Sequence, residues 1–223
     1  MYRHFLLLIS LSLVLSSCSF DNAPKLVSTE EQNASIERPQ PPPPLPDDIP
    51  GQIEYSRKEK DRILKLSPDS PIPQAERVSF AGLKYFPVDM KYRLSARLEK
   101  YSTSEKVKMP TSKGTQDEYI RYGAVKFTID NSEHSLDTFK SVSTDVDPKR
   151  LFIPFRDITS GKETYGSGRY LEIEEDSKGA YTMDFNLAYN PYCAYNIDYS
   201  CPIPPAQNTL KVAIKAGEKN FHE

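Results

Sequence analysis

The chain has 223 residues, of which 38% are hydrophobic and 27% charged, with 19 prolines, three cysteines and no tryptophan. This length suits one domain with extensions and is sufficient to bury a hydrophobic core. A formal net charge of −2 excludes a globally basic nucleic-acid-binding protein. The composition also excludes collagenous, coiled-coil and multi-span membrane proteins.

Residues 1–17 have the pattern of a signal peptide. Arg3 supplies a positive charge, and an apolar core extends from Phe5 to Leu15. Because this core is shorter than the roughly 20 residues that span a bilayer, a cleaved leader is favoured over a membrane helix.

The leader ends in Leu15-Ser16-Ser17-Cys18, which resembles the lipobox of bacterial lipoproteins. The resemblance implies cleavage before Cys18, lipidation of its sulfur, including palmitate, and anchoring in the cell envelope. Ser19 follows the cysteine, so the outer membrane facing the periplasm is the expected location in a Gram-negative cell. An ordinary signal peptide with an accidental cysteine is the alternative.

Residues 18–54 are rich in proline, with eight of the prolines between Ser19 and Glu54. Proline fixes φ and lacks an amide donor, so the run Pro39–Pro50 is expected to adopt polyproline II. We predict a disordered tether that holds the domain away from the membrane. The alternative is a docking motif for an aromatic groove on a partner, which would make the chain a structural or interaction protein of the envelope.

Residues 55–223 are predicted to form a single domain that opens with a helix. Ser56-Arg57-Lys58-Glu59 fits a capping box, and Pro68 would end the helix. On this helix, Tyr55, Ile63 and Leu66 can share one apolar face.

Further along the chain the apolar period changes to two, which is typical of strands. Several short alternating segments, with a turn-like tetrad at Asp130–Glu133, favour an antiparallel barrel or sandwich. The predicted strands are Tyr92–Glu99, Val125–Asp130, Leu151–Ile153, Leu171–Ile173, Tyr181–Phe185 and Leu210–Ile214.

The last third of the chain carries long, unusual motifs. They are Asp157-Ile158-Thr159-Ser160-Gly161, Glu163-Thr164-Tyr165-Gly166-Ser167-Gly168-Arg169-Tyr170, Asp184-Phe185-Asn186-Leu187-Ala188-Tyr189-Asn190-Pro191, Cys201-Pro202-Ile203-Pro204-Pro205 and Ala216-Gly217-Glu218. In this order they resemble domain-of-unknown-function family 1684, over about Tyr55 to Phe221. The resemblance implies a mainly β fold with one N-terminal helix, an antiparallel barrel similar to the flavin-binding split barrels, and no established activity. Flavin mononucleotide enters as a cofactor through that fold resemblance alone.

The first block combines hydroxyls, glycine amides and guanidinium groups, which suit a phosphate or carboxylate. The alternative is a pair of turns in which Arg156 and Arg169 pair with Asp157, Glu163 or Asp184. If two of these carboxylates converge in a cleft, Glu163 or Asp184 could act as an acid or base in a flavin-dependent or hydrolytic enzyme.

Tyrosines are concentrated in the same region and could stack on an aromatic ligand, or form core with bonded hydroxyls. The sequence therefore favours a module that binds a small anionic or aromatic ligand, with no metal. Its candidate ligand-binding residues are Arg156, Asp157, Thr159, Ser160, Glu163, Thr164, Tyr165, Gly168, Arg169, Tyr170, Asp184, Asn186, Tyr189 and Asn190.

Cys193 and Cys201 remain once Cys18 is lipidated. An exported compartment favours a disulfide between them, with free thiols or a metal as alternatives.

Overall fold

The computed structural model describes residues 44–142, 147, 149–176 and 179–222. The predicted leader, the lipidation site Cys18 and most of the predicted tether lie outside these ranges. The described chain opens with helix α1 (Ile49–Leu66), which is followed by the single-turn helix α2 (Gln74–Arg77). Within these ranges, no helix has both the length and the apolar character that crossing a bilayer requires.

Helix α1 begins at Ile49, inside the segment predicted as tether, so the predicted start at Ser56 is wrong. The Asp48 carboxylate caps the helix by accepting from the Gly51 amide at 2.7 Å. Pro50 is accommodated because amides of the first turn need no acceptor within the helix.

The buried face of α1 consists of Ile53, Arg57 and Leu64. Ile63 and Leu66, predicted to form the apolar face, are 49% and 64% exposed. The prediction fails because a charged residue, Arg57, occupies the middle of the buried face.

Six antiparallel strands form one sheet in the order β5-β4-β3-β2-β1-β6. The two edge strands, β5 and β6, are consecutive in the chain. Glu175, which follows β5, forms a β-bridge with Tyr181 of β6, so the sheet curls into a nearly closed barrel. The predicted mainly β antiparallel barrel with one N-terminal helix is confirmed. The strands are β1 (Arg93–Pro110), β2 (Gln116–Ile129), β3 (Ser132–Ser141), β4 (Leu151–Phe155), β5 (Arg169–Ile173) and β6 (Tyr181–Asp184).

The predicted turn at Asp130–Glu133 joins β2 to β3. Asp130 and Asn131 have φ of 48° and 62°, the left-handed pair that two-residue hairpins require. In contrast, the predicted strand Leu210–Ile214 is not a strand. Main-chain hydrogen bonds hold its first part, from the Leu210 amide to Arg156 O at 2.8 Å and from the Ile158 amide to Val212 O at 3.3 Å. Buried side chains hold its end, as described below.

The barrel core is apolar, with Val125, Ile153 and Phe185 each 0% exposed. A second, smaller apolar cluster includes Leu64 of α1 and Tyr195, and it attaches the helix to the domain. The helix therefore belongs to the same folded unit as the barrel, and the surfaces around it can contribute to a site.

Candidate functional site

Arg169 is fully buried, and its two terminal nitrogens donate to the C-terminal segment, whereas its Nε has no partner among the described residues. Its Nη1 donates to the carbonyls of Ala216 and Glu218, and its Nη2 donates to Ile214 O at 2.9 Å. Asp157 lies 3.6 Å from Nη2. Burial lowers the pKa of Arg169 to about 10, and the Asp157 charge opposes that shift. The guanidinium therefore binds protein carbonyls rather than an external anion.

Asp157 collects the polar groups of the same loop. It accepts from the hydroxyls of Thr159 at 2.8 Å and Ser160 at 3.2 Å, and from the Ile214 amide at 2.6 Å. Thr164 completes the set through a 2.8 Å hydroxyl contact with Thr159. These are the hydroxyls that the sequence predicts as donors to a phosphate, such as that of flavin mononucleotide. Because they are hydrogen-bonded within the protein, the loop does not fit a phosphate group.

Three further predicted residues of this loop lie apart from that network. Glu163 forms a surface ion pair of 3.3 Å with Lys215, the two side chains being 40% and 57% exposed. Arg156 donates to Ser167 O at 3.3 Å. Gly168 has φ +104°, and a Cβ there would lie 2.6 Å from Phe155 O, so this position requires glycine for close backbone approach.

Asp184 and Asn186 connect two short 3₁₀ helices, Met90–Tyr92 and Phe185–Leu187. Asp184 pairs with Arg93 at 2.8 Å and accepts from the Asn186 side-chain amide at 2.9 Å. Asn186 also exchanges two 3.0 Å hydrogen bonds with the backbone of Asp89. Both side chains are thus satisfied within the protein, as expected of buried structural polar groups.

Glu218 is a buried centre that was not among the candidate ligand-binding residues, although it ends the motif Ala216-Gly217-Glu218. Its carboxylate pairs with Lys60 of α1 at 2.5 Å and accepts from Tyr195 OH at 2.6 Å and the Asn190 amide at 2.8 Å. Burial, and then the Glu218 charge, raise the pKa of Tyr195. Lys60 and Glu218 are 158 residues apart in the chain, and only the fold brings them together.

An open aromatic cleft of about 350 Å³ lies between the barrel and the loop that follows β6. Two predicted residues, Tyr170 and Tyr189, line it with their rings 5.7 Å apart. Phe152 packs edge-on against Tyr170 at 4.8 Å. The aromatic lining is Tyr119, Phe152, Tyr170, Tyr189, Tyr192 and Tyr199.

Hydrogen bonds fix the tyrosines of the cleft. Tyr170 OH donates to Pro202 O at 2.6 Å, and Tyr189 OH donates to Glu172 at 3.0 Å. Burial raises the pKa of both phenols, and for Tyr189 the Glu172 charge adds to it. Both rings therefore stay neutral and rigid, which suits a stacking surface.

One end of the cleft carries charge. Arg150 contacts Glu172 at 3.1 Å and Glu174 at 3.3 Å, and its side chain is 45% exposed. A guanidinium has five N–H donors, so Arg150 keeps donors for a bound molecule beside these two carboxylates.

The expected disulfide is not formed in the structure, since Cys193 and Cys201 are free thiols. They are nevertheless neighbours, with the Cys193 amide donating to Cys201 Sγ at 3.2 Å. Cys201 lines the aromatic cleft, and Tyr165 OH lies 3.7 Å from Cys193 Sγ.

A curled antiparallel sheet, a helix fixed to it by buried charge, and an aromatic cleft at its side define a mainly β barrel protein with one N-terminal helix. The family model "Protein of unknown function (DUF1684)" matches residues 78–219, and the chain belongs to this family. A search of curated proteins finds no match.

Among solved structures, the chain is similar to the solution NMR structure of an uncharacterized protein from Haloarcula marismortui. The two sequences are 40% identical, and the match covers 77% of this chain and 94% of that chain with a TM-score of 0.61. The relationship supports the fold and the family and carries no activity.

Proposed function

We propose that the protein is a binding module for a small aromatic molecule and that the aromatic cleft is its site. The observation that carries the proposal is the convergence of six aromatic side chains on one cavity of about 350 Å³. That volume lies in the range of small-molecule pockets, roughly 300–1,000 Å³.

The charges beside the cleft narrow the ligand class. Arg150 faces two carboxylates, Glu172 and Glu174, so its positive charge is more than balanced. A polyanion gains little there, whereas an uncharged planar ring with a hydrogen-bonding edge can stack on the tyrosines and accept from Arg150. We therefore place the ligand in the cleft and not in the Asp157–Arg169 loop.

Riboflavin and flavin mononucleotide, which share one ring system, separate ring binding from phosphate binding. We expect riboflavin to bind the full chain at least as well as flavin mononucleotide, because Glu172 and Glu174 already balance the charge of Arg150, the cation that lines the cleft. Quenching of flavin fluorescence measures both affinities. Anilinonaphthalene sulfonate serves as a second aromatic probe.

Tyr199→Ala tests the site itself, since Tyr199 lines the cleft and packs on Tyr192 at 5.3 Å. For each probe that binds the wild-type chain, we expect the affinity to fall about tenfold in this variant, equivalent to ~1.4 kcal/mol. Ile197→Ala is the matched control, because Ile197 lies in the same loop, is 83% exposed and is not part of the cleft. The proposal fails if none of the three probes binds, or if Tyr199→Ala binds as the control does.

We also propose that the module is held in the bacterial cell envelope by a lipid on Cys18. The support is the leader of residues 1–17, the lipobox-like Leu15–Cys18 and the Ser19 that follows. Labelled palmitate fed to a bacterial host should enter the wild-type chain and the membrane fraction. With Cys18→Ser both signals should be lost, and retention of label in that variant would refute the anchor.

A further inference from the structure

Cys193 and Cys201 form a close pair with unequal exposure. Cys193 is half-buried in the short 3₁₀ helix Tyr192–Ala194, whereas Cys201 is 7% exposed. Their side chains hydrogen-bond to each other, and the Cys193 amide donates to Cys201 Sγ at 3.2 Å.

The β1–β2 hairpin holds this pair in place. Ser112 lies in the turn between the two strands, and its hydroxyl accepts from the Cys201 amide at 3.1 Å. The Ser112 amide donates to Cys201 O at 2.9 Å. These bonds hold Cys201 next to Cys193, which is the more exposed of the two residues. A reagent that approaches from outside the aromatic cleft, which Cys201 lines, therefore meets Cys193 first.

The hydrogen-bond donors around the two sulfurs are unequal as well. Hydrogen bonds from the Cys201 thiol, Tyr165 and Ser112 lower the pKa of Cys193 to about 6. The same thiol–thiol hydrogen bond, together with burial, raises the pKa of Cys201. A nucleophilic thiolate beside a protonated thiol is the arrangement that exchange chemistry uses.

We propose that Cys193 and Cys201 form a thiol–disulfide exchange site whose substrate is a low-molecular-weight disulfide. Cys193 Sγ attacks one substrate sulfur, the substrate S–S bond breaks, and one thiolate leaves. Cys201 then loses its proton to that thiolate or to solvent, and its sulfur attacks Cys193 Sγ. This second step releases the other half of the substrate as a thiol, so the substrate is reduced by two electrons and the cysteine pair is oxidised. The proposal is independent of aromatic-ligand binding.

The test uses dithionitrobenzoate, a low-molecular-weight aromatic disulfide, on the full chain with Cys18→Ser in every variant so that only the pair reacts. The wild-type pair should release two equivalents of aromatic thiol and retain no adduct. Cys201→Ser should release one equivalent and keep the aromatic thiol on Cys193. Absorbance follows the release, and peptide mass spectrometry locates the adduct.

Cys193→Ser should react at least about tenfold more slowly, because only the buried Cys201 remains. Ile197→Ala, in the same loop, should react at the wild-type rate, and thermal unfolding checks that each variant is folded. If Cys193→Ser does not fold, limiting reagent on the wild-type pair still decides, since a transient adduct should map to Cys193. A stable adduct on both cysteines, first attack at Cys201, or an unslowed Cys193→Ser would overturn the proposal.

Discussion

Arg169 and Asp157 form an ion pair of 3.6 Å between side chains that are 1% and 0% exposed. Asp157 also accepts from the Ile214 amide, and Arg169 donates to the Ile214 carbonyl. The two charges thus hold both backbone groups of one residue in the C-terminal segment. Together with the main-chain hydrogen bonds of Leu210 and Val212 to the segment after β4, this ion pair fixes the C-terminal segment against the barrel.

Asp157→Asn should strongly destabilise the fold, because it leaves the Arg169 charge buried without a counter-charge. We expect the free energy of unfolding in urea to fall by about 3–5 kcal/mol. Glu163→Gln is the control, since its pair with Lys215 is exposed and should contribute less than about 1 kcal/mol. Similar losses in both variants would contradict a structural role for the buried pair.

The start of helix α1 can be tested by replacing each of the two candidate N-cap residues, Asp48 and Ser56, by alanine. Asp48→Ala removes the side chain that accepts from the Gly51 amide and should cost about 1 kcal/mol of stability. Ser56→Ala should leave stability within about 0.5 kcal/mol of wild type, because Ser56 is an exposed residue inside the helix. Urea unfolding of both variants decides between the two helix starts, and a larger loss for Ser56→Ala would place the start at Ser56.

Sequence periodicity predicted the elements whose cause is local. One example is the alternation in Tyr181–Phe185, which predicts β6. Another is the pair Asp130 and Asn131, whose backbone conformation forms the turn between β2 and β3. Leu210–Ile214 has the same alternation, but its hydrogen bonds are to Arg156 and Ile158 and, at Ile214, to the side chains of Asp157 and Arg169, all from a distant part of the chain. A pattern within the segment cannot reveal that competition.

The cleft shows the same limit for the candidate site. The tyrosine-rich region supplied Tyr170 and Tyr189, both of which line the cleft. Tyr119 and Phe152 come from β2 and β4, carry no motif, and meet there only because the sheet curls. The predicted Asp157–Arg169 loop had the composition of an anion site, but its donors face acceptors within the protein.

Alkylation of Cys193 by iodoacetamide should report its ionisation. The folded-state pKa is near 6, against about 8.5 for an unfolded thiol, so the rate should rise through pH 6 and level off by about pH 8. By linkage, the thiolate contributes stability above the unfolded pKa, and this contribution is lost as pH falls through about 6. Tyr165, Ser112 and Cys201 are the groups that hydrogen-bond to it.

Cys201→Ala removes the hydrogen-bond donor that lowers the pKa of Cys193 most. The pH midpoint for Cys193 alkylation should therefore move to higher pH. Ile197→Ala leaves the donors intact and should not move it. The measurement is the alkylation rate of the Cys193 peptide by mass spectrometry between pH 5 and about 9. An unchanged midpoint in Cys201→Ala would show that the thiol–thiol hydrogen bond does not set the ionisation.

Gly217 and Gly114 separate two reasons for requiring glycine. Both have positive φ, +76° and +77°, so alanine at either position costs about 1–2 kcal/mol of backbone strain. Only at Gly217 would the added Cβ also lie 2.5 Å from Ala188 O, whereas nothing lies within 4 Å at Gly114. Gly217→Ala should therefore lower the free energy of unfolding by clearly more than Gly114→Ala, as measured in urea. Because Gly217 precedes Glu218, the displaced backbone in Gly217→Ala should also move the Glu218 carboxylate away from Lys60. Equal losses of stability in the two variants would show that the close approach to Ala188 does not constrain the fold.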